Sequence, residues 1–175
     1  MHQAEEDLLV LAAQNGNHKA FNILIKYYQK KLLRFAFKLS NDQEMANDAV
    51  QDAWVKSTKN LRQLKDPRAF KSWIYRLVKW RITDLLRQKT RYRERFTDNL
   101  SQQSDFTHQR ESENDSELSA AIKRLPAIEK QMIHLFYLDE MKLSEIGAVL
   151  NIPTGTVKSR LNRARKLLKQ KFDLS

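Results

Sequence analysis

Residues 154–171 carry seven lysines and arginines and no acid. Thr154, Thr156, Lys158, Ser159, Arg160 and Arg163 lie outside an apolar stripe of Val157, Leu161, Ala164 and Leu168. That is a helix with one packed side and one cationic, hydrogen-bonding side. Such a side suits the DNA major groove, where arginine and lysine pair with guanine edges and phosphates. A second cluster lies in residues 66–95, where ten basic and three acidic side chains are interleaved with Trp73, Tyr75, Trp80 and Tyr92. Trp73 and Trp80 are two helical turns apart and share a face, with Arg76 and Arg87 on its edge. Cations beside large aromatic rings suit unpaired nucleic acid, the cations holding phosphates while the rings stack on bases. Core packing is the competing role for both tryptophans.

No catalytic constellation accompanies these clusters. His2, His18, His108 and His134 are scattered, and none stands at metal-ligand spacing with another histidine or an acid pair. The chain has no cysteine, which excludes disulfides, thiolate metal sites and a cysteine nucleophile. Phosphate-cradling loops and serine elbows are missing as well. The expectation is a binding protein without cofactor or metal, not an enzyme.

Composition narrows the scaffold. The 175 residues hold 32 Lys+Arg against 21 Asp+Glu, a net charge of +11 that points to a polyanionic partner. Three glycines and three prolines are too few for the turns of an all-β fold, so an all-α chain is expected. The longest apolar runs, such as residues 8–13, are too short to span a bilayer. The N-terminal run is acidic where a secretory signal would be basic. A cytoplasmic protein without membrane insertion follows as the expectation.

Charge also divides the chain. Residues 1–95 have a net charge of +10, residues 96–117 of −5 and residues 118–175 of +6. The middle stretch is polar, with Phe96, Leu100 and Phe106 as its only large apolar residues, and it cannot bury enough surface to offset its ordering entropy. It reads as a flexible acidic linker between two small helical domains; a solubilising surface loop is the plainer alternative.

The first domain reads as amphipathic helices. One carries Phe21, Leu24, Ile25, Tyr28, Leu32, Phe35 and Leu39 at spacings of three and four. Asn41 or Asp42 caps the next, which buries Ala46, Ala49, Val50, Ala53 and Trp54. Asp66-Pro67 opens a third, striped by Phe70, Trp73, Ile74, Leu77, Val78, Ile82, Leu85 and Leu86. In the second domain Ser144 is expected to cap a short helix with Ile146, Val149 and Leu150 inside. Asn151 turns the chain, Pro153 blocks continuation and Thr154 caps a fresh helix. Two helices, a three-residue turn and matched inner faces make a helix-turn-helix.

These motifs together resemble the extracytoplasmic-function (ECF) group of the sigma-70 family, the compact two-domain sigma factors of bacterial RNA polymerase. The stretch 48–54, Asp-Ala-Val-Gln-Asp-Ala-Trp, is similar to the family's polymerase-binding helix. Residues 70–87 are similar to its promoter-melting and −10-reading segment. Leu125-Pro-Ala-Ile-Glu-Lys-Gln-Met, Leu143-Ser-Glu-Ile-Gly and residues 155–165 resemble its −35-reading domain. The resemblance implies that residues 1–95 bind core polymerase and the −10 element, and that residues 118–175 read the −35 element. It implies Asp48, Gln51 and Asp52 as contacts to core RNA polymerase (β and β′ subunits). It assigns Trp73, Tyr75, Arg76, Lys79, Trp80 and Arg87 to −10 binding and melting. The −35 contacts become Thr154, Thr156, Lys158, Ser159, Arg160 and Arg163. Trp80 stands where many relatives carry asparagine, and the tract from Leu64 to Phe70 is short for a specificity loop. Promoter DNA is the implied ligand, and an anti-sigma protein a further implied partner.

Two rival readings differ in class. A stand-alone helix-turn-helix repressor or activator would leave the basic-aromatic helix and the acidic linker without a purpose. A recombinase or nuclease would need a catalytic serine, tyrosine or acid cluster on an α/β domain, and the first 95 residues read as helices.

Overall fold

A computed structural model describes residues 1–97 and 117–172, and among these every regular element is helical. The proposed linker, 96–117, lies almost wholly outside the described residues. Helix α1 spans Gln3–Gln14, α2 His18–Ser40, α3 Gln43–Asn60 and α4 Phe70–Thr97. The later elements are α5 (Glu117–Lys123), α6 (Ala127–Ile133), α7 (Leu143–Leu150) and α8 (Thr154–Phe172). Helix α6 runs into a π-helical turn over His134–Leu138. No helix among the described residues is long and apolar enough to cross a membrane.

Local chemistry sets the boundaries. Asn41 ends α2 in the left-handed conformation, φ 53°, which asparagine tolerates better than most residues. Asp42 then caps α3 by accepting from the Met45 N–H at 3.1 Å. That bond, with the Lys89 ammonium 3.2 Å away, holds the Asp42 carboxyl below its usual range. Of the two residues that sequence offered as the cap of α3, Asp42 takes that place and Asn41 closes α2 instead. Asp66 opens a 3₁₀ turn, Pro67–Ala69, by accepting from the Arg68 N–H at 3.0 Å, and this turn leads into α4.

The N-terminal core is built where α2, α3 and α4 meet, with α1 laid across α2. Leu24, Tyr28, Leu32 and Phe35 of α2 face Ala46, Ala49, Val50 and Ala53 of α3. Phe70, Ile74, Val78 and Ile82 close the core from α4. The Trp54 indole N–H donates to Gln29 Oε1 at 2.7 Å, so a buried polar atom is satisfied. The C-terminal core gathers Met132, Leu135, Met141, Ile146, Val149, Val157, Leu161 and Ala164. Helix α7 packs against α4, so the two cores merge into one.

Candidate nucleic-acid interface

Helices α7 and α8 are joined by the three residues 151–153, as the pattern predicts. Asn151 takes the left-handed conformation, φ 58°. Gly147 makes the tight approach possible: a Cβ there would lie 2.8 Å from the Ile152 carbonyl oxygen, inside van der Waals contact. Two expected caps are corrected. Ser144 lies inside α7, which opens at Lys142 instead, where the Glu145 carboxylate accepts from the Lys142 N–H at 2.6 Å. Thr154 is the first helical residue of α8, and the hydrogen-bond ladder begins at the Pro153 carbonyl, accepting from the Val157 N–H at 3.1 Å.

Burial separates the two sides of α8. Val157, Leu161 and Ala164 are buried, while Leu168 is only half-buried. Thr154, Lys158, Ser159 and Arg163 are exposed; Thr156 and Arg160 are half-buried on the same outer side. Lys158, Arg160 and Arg163 make no ion pair among the described residues, so their charge is uncommitted. Arg165 differs. Its Nε donates to the Tyr137 hydroxyl at 2.8 Å and its guanidinium lies over the Phe136 and Tyr137 rings, 5.3 and 5.7 Å from their centroids. The count of seven basic residues includes at least this one whose role is to hold α8 on the π turn, and only a spatial partner distinguishes it.

Helix α4 is less uniform. Arg76, Trp80 and Arg87 are exposed and Trp73 is half-buried, its ring 6.1 Å from that of Phe70. These four fall within one sector of the helix of about 60° at 3.6 residues per turn. Trp80 is 59% exposed, with the Lys56 ammonium 4.0 Å from its ring centroid. This is a cation–π contact between α3 and α4 that sequence reasoning did not find. The rim around Arg87 is a shallow groove that also includes Thr83, Thr90 and Arg91. Lys79 is half-buried, and desolvation pulls its ammonium below the usual lysine range.

Tyr75 is a correction. Its side chain is fully buried, 5.2 Å ring to ring from Phe35 and 6.4 Å from Tyr28, and no base can reach it in this arrangement. Burial, reinforced by the nearby Asp139 charge, raises its phenol well above the usual range. It lies about 140° around the helix from Trp80 and about 20° from Ile82, so helical arithmetic already placed it in the core stripe.

The third surface is on α3. Asp48 and Gln51 are exposed, and Asp52 is held by Arg81, whose Nε donates to its Oδ2 at 2.6 Å. Arg81 also reaches Asp84 at 3.1 Å, so the acidic end of this face is braced from α4. Val55, 49% exposed, extends the row one turn further and adds apolar area that the sequence reading omitted. No group of His, Asp or Glu among the described residues is placed to hold a metal ion.

Two protein-family models match the chain, Sigma-70 region 2 over residues 24–92 and Sigma-70 region 4 over residues 115–168. The chain is 30% identical to the RNA polymerase sigma factor SigV of Bacillus subtilis, covering 85% of this chain and 90% of that one. It is 29% identical to the ECF RNA polymerase sigma factor SigW of the same organism, over 91% of this chain and 92% of that one. The ECF RNA polymerase sigma-E factor of Escherichia coli is also 29% identical, over 97% and 95% of the two chains. Among solved structures, CnrH in complex with the cytosolic domain of CnrY has the same fold, with a TM-score of 0.69, 23% identity and coverage of 98% and 99%. Bartonella quintana RpoE bound to the anti-sigma factor NepR matches equally well, TM-score 0.69 at 23% identity, over 90% and 99%. With region 2 on the half that carries the basic-aromatic helix and region 4 on the half that carries the helix-turn-helix, the chain belongs to the ECF group of the sigma-70 family of RNA polymerase sigma factors.

Proposed function

We propose that this chain is the promoter-specificity subunit of a bacterial RNA polymerase. Residues 1–95 act as the region 2 domain, 118–175 as the region 4 domain and 96–117 as the acidic connection between them. The uncommitted cations of α8 read the −35 element, with Arg160 and Arg163 aimed at base edges and Thr154, Thr156, Lys158 and Ser159 at phosphates and the groove. Trp80, Trp73, Arg76, Lys79 and Arg87 of α4 take the −10 element, holding the backbone by charge and an unstacked base by the exposed indole. Asp48, Gln51 and Asp52 form the acidic, hydrogen-bonding face that docks on core polymerase. Chemistry stays with the polymerase; this subunit supplies recognition and strand capture in the cytoplasm, at the nucleoid.

The observation that carries the reading is the coexistence, in one chain, of an unpaired cationic recognition helix and an exposed tryptophan flanked by cations. A lone operator-binding protein needs only the first. Regulation by an anti-sigma protein is part of the proposal, supported by the complex of Bartonella quintana RpoE, which has the same fold, with the anti-sigma factor NepR. The test is transcription with purified core polymerase on a supercoiled promoter library. Specific transcripts that require this protein are expected. Failure to co-elute with core, together with the absence of any specific transcript, overturns the proposal.

A further inference from the structure

The π turn at His134–Leu138 ends at the pair Asp139-Glu140, and the N-terminal module closes around that pair. The Asp139 side chain is fully buried. Its Oδ1 lies 3.7 Å from Arg34 Nη2 of α2, and its Oδ2 lies 3.1 Å from His134 Nε2. Neither oxygen accepts a hydrogen bond in this geometry, and the Tyr75 hydroxyl of α4 is buried nearby with no hydrogen-bond partner of its own. Lys71 Nζ, on the first turn of α4, donates to the main-chain carbonyls of Asp139 at 2.8 Å and Glu140 at 3.3 Å. Helical carbonyls at a C-terminus carry partial negative charge and need donors. Here a lysine from the other module, 68 residues away in sequence, caps them. Glu140 itself stands at φ 50°, a conformation that costs a residue with a side chain unless its surroundings hold it.

We infer that Asp139-Glu140 is a latch: Arg34 and Lys71 of the N-terminal module hold it, and its release lets the C-terminal module swing away from α4. Two features make this a latch rather than permanent glue. A buried carboxylate offset by charge but not by hydrogen bonds adds little net stability over an apolar contact, yet removing its cation leaves the carboxylate buried and uncompensated, so the docked state depends on that partner. What it adds is register, since a docking that buries Asp139 away from Arg34 leaves its carboxylate without a cation from α2. Interfaces of mixed polarity between modules also permit relative motion by default. In the latched state Arg34 and Lys71, two cations of the basic N-terminal module, are occupied by protein acceptors, and Tyr75 is sealed.

The experiment uses the full chain and exploits its lack of cysteine. Cysteines introduced at the exposed positions Gln63 and Lys169 carry nitroxide labels, and the inter-label distance is measured by pulsed electron resonance. One narrow distance is expected for the parent chain. Asp139→Ala, and separately the pair Arg34→Ala with Lys71→Ala, replace that peak with a broad, longer distribution. The second variant alters only the N-terminal module at its surface, so it remains informative if Asp139→Ala disturbs the turn. An unchanged narrow peak in the Arg34/Lys71 variant, or a broad distribution in the parent, overturns the inference. No polymerase or DNA enters the measurement, so it stands or falls apart from the proposed promoter function.

Discussion

Helices α8 and α4 are both rich in arginine and lysine, yet they use that charge differently. On α8 the apolar stripe and the polar side are cleanly divided, and Lys158, Arg160 and Arg163 face outward without ion pairs among the described residues. On α4 Arg81 is paired with Asp52 and Asp84, Lys89 with Asp42, and Lys71 with the carbonyls of the π turn. Arg76 and Arg87 instead share the exposed sector of Trp80. On the proposed roles, a helix that fits a preformed groove keeps its charges free, whereas one that also supports a core, a neighbouring module and an unstacked strand divides them. Net charge alone does not distinguish the two; the partners do.

The contrast is most severely tested by removing the scaffold under the clean helix. Leu161→Ala should cost about 2–5 kcal/mol of stability in the C-terminal module. Urea unfolding is expected to show that loss, with −35 binding weakened because α8 is no longer held in place. A stability change below about 1 kcal/mol would mean that α8 is not anchored by its stripe.

Next in size are the ring and the arginines. Trp80→Ala should weaken capture of the melted strand by about 1–3 kcal/mol and slow promoter opening more than closed-complex formation. Permanganate reactivity of exposed thymines separates the two steps. Tyr75→Phe is expected to leave both steps unchanged, since that ring is sealed in the core. On α8, Arg163→Ala should cost about 1–3 kcal/mol and relax specificity at one base pair. Arg165→Ala should instead weaken all sequences alike, because its partners are Phe136 and Tyr137. Binding titrations on point-mutated −35 sites distinguish these patterns.

The smallest effect lies in the N-terminal module. Glu6 is buried, accepts from the Tyr28 hydroxyl at 2.7 Å and leaves its other oxygen without a partner. Desolvation raises its carboxyl above the usual range despite that bond and the Lys71 charge. The folded state therefore holds the Glu6 proton more tightly than the unfolded chain does, and this group lowers stability as pH rises from the unfolded pKa through the folded one. Glu6→Gln should raise the urea midpoint at pH 7, and the gain should vanish in acid below the ordinary carboxylate range. A gain that persists there would assign the effect to packing instead of charge.

Much of this was legible in the sequence because the relevant physics is local. Asn41, Asp42 and Asn151 are identified by their own backbone preferences, and the stripes of α2, α3 and α8 by spacing. The helix-turn-helix follows from Pro153 and its neighbours without knowledge of any distant residue. Tyr75 stands among cations and aromatic residues in the linear sequence, but its angle around the helix puts it in the core. Ser144 is a good capping residue, but the side chain of Glu145 already satisfies the end of α7. The roles of Arg165, Asp52 and Asp139 depend on partners 28, 29 and 68 residues away, and no local rule identifies such partners.

One contact has a kinetic consequence. With the Lys56 ammonium resting against one face of the Trp80 ring, the indole is steadied before any strand arrives. The conformational freedom that stacking would otherwise remove is already spent within the folded protein. On the proposed role of Trp80, a nucleotide leaving the duplex meets a landing platform already in position, which shortens the interval in which the open strands can rejoin.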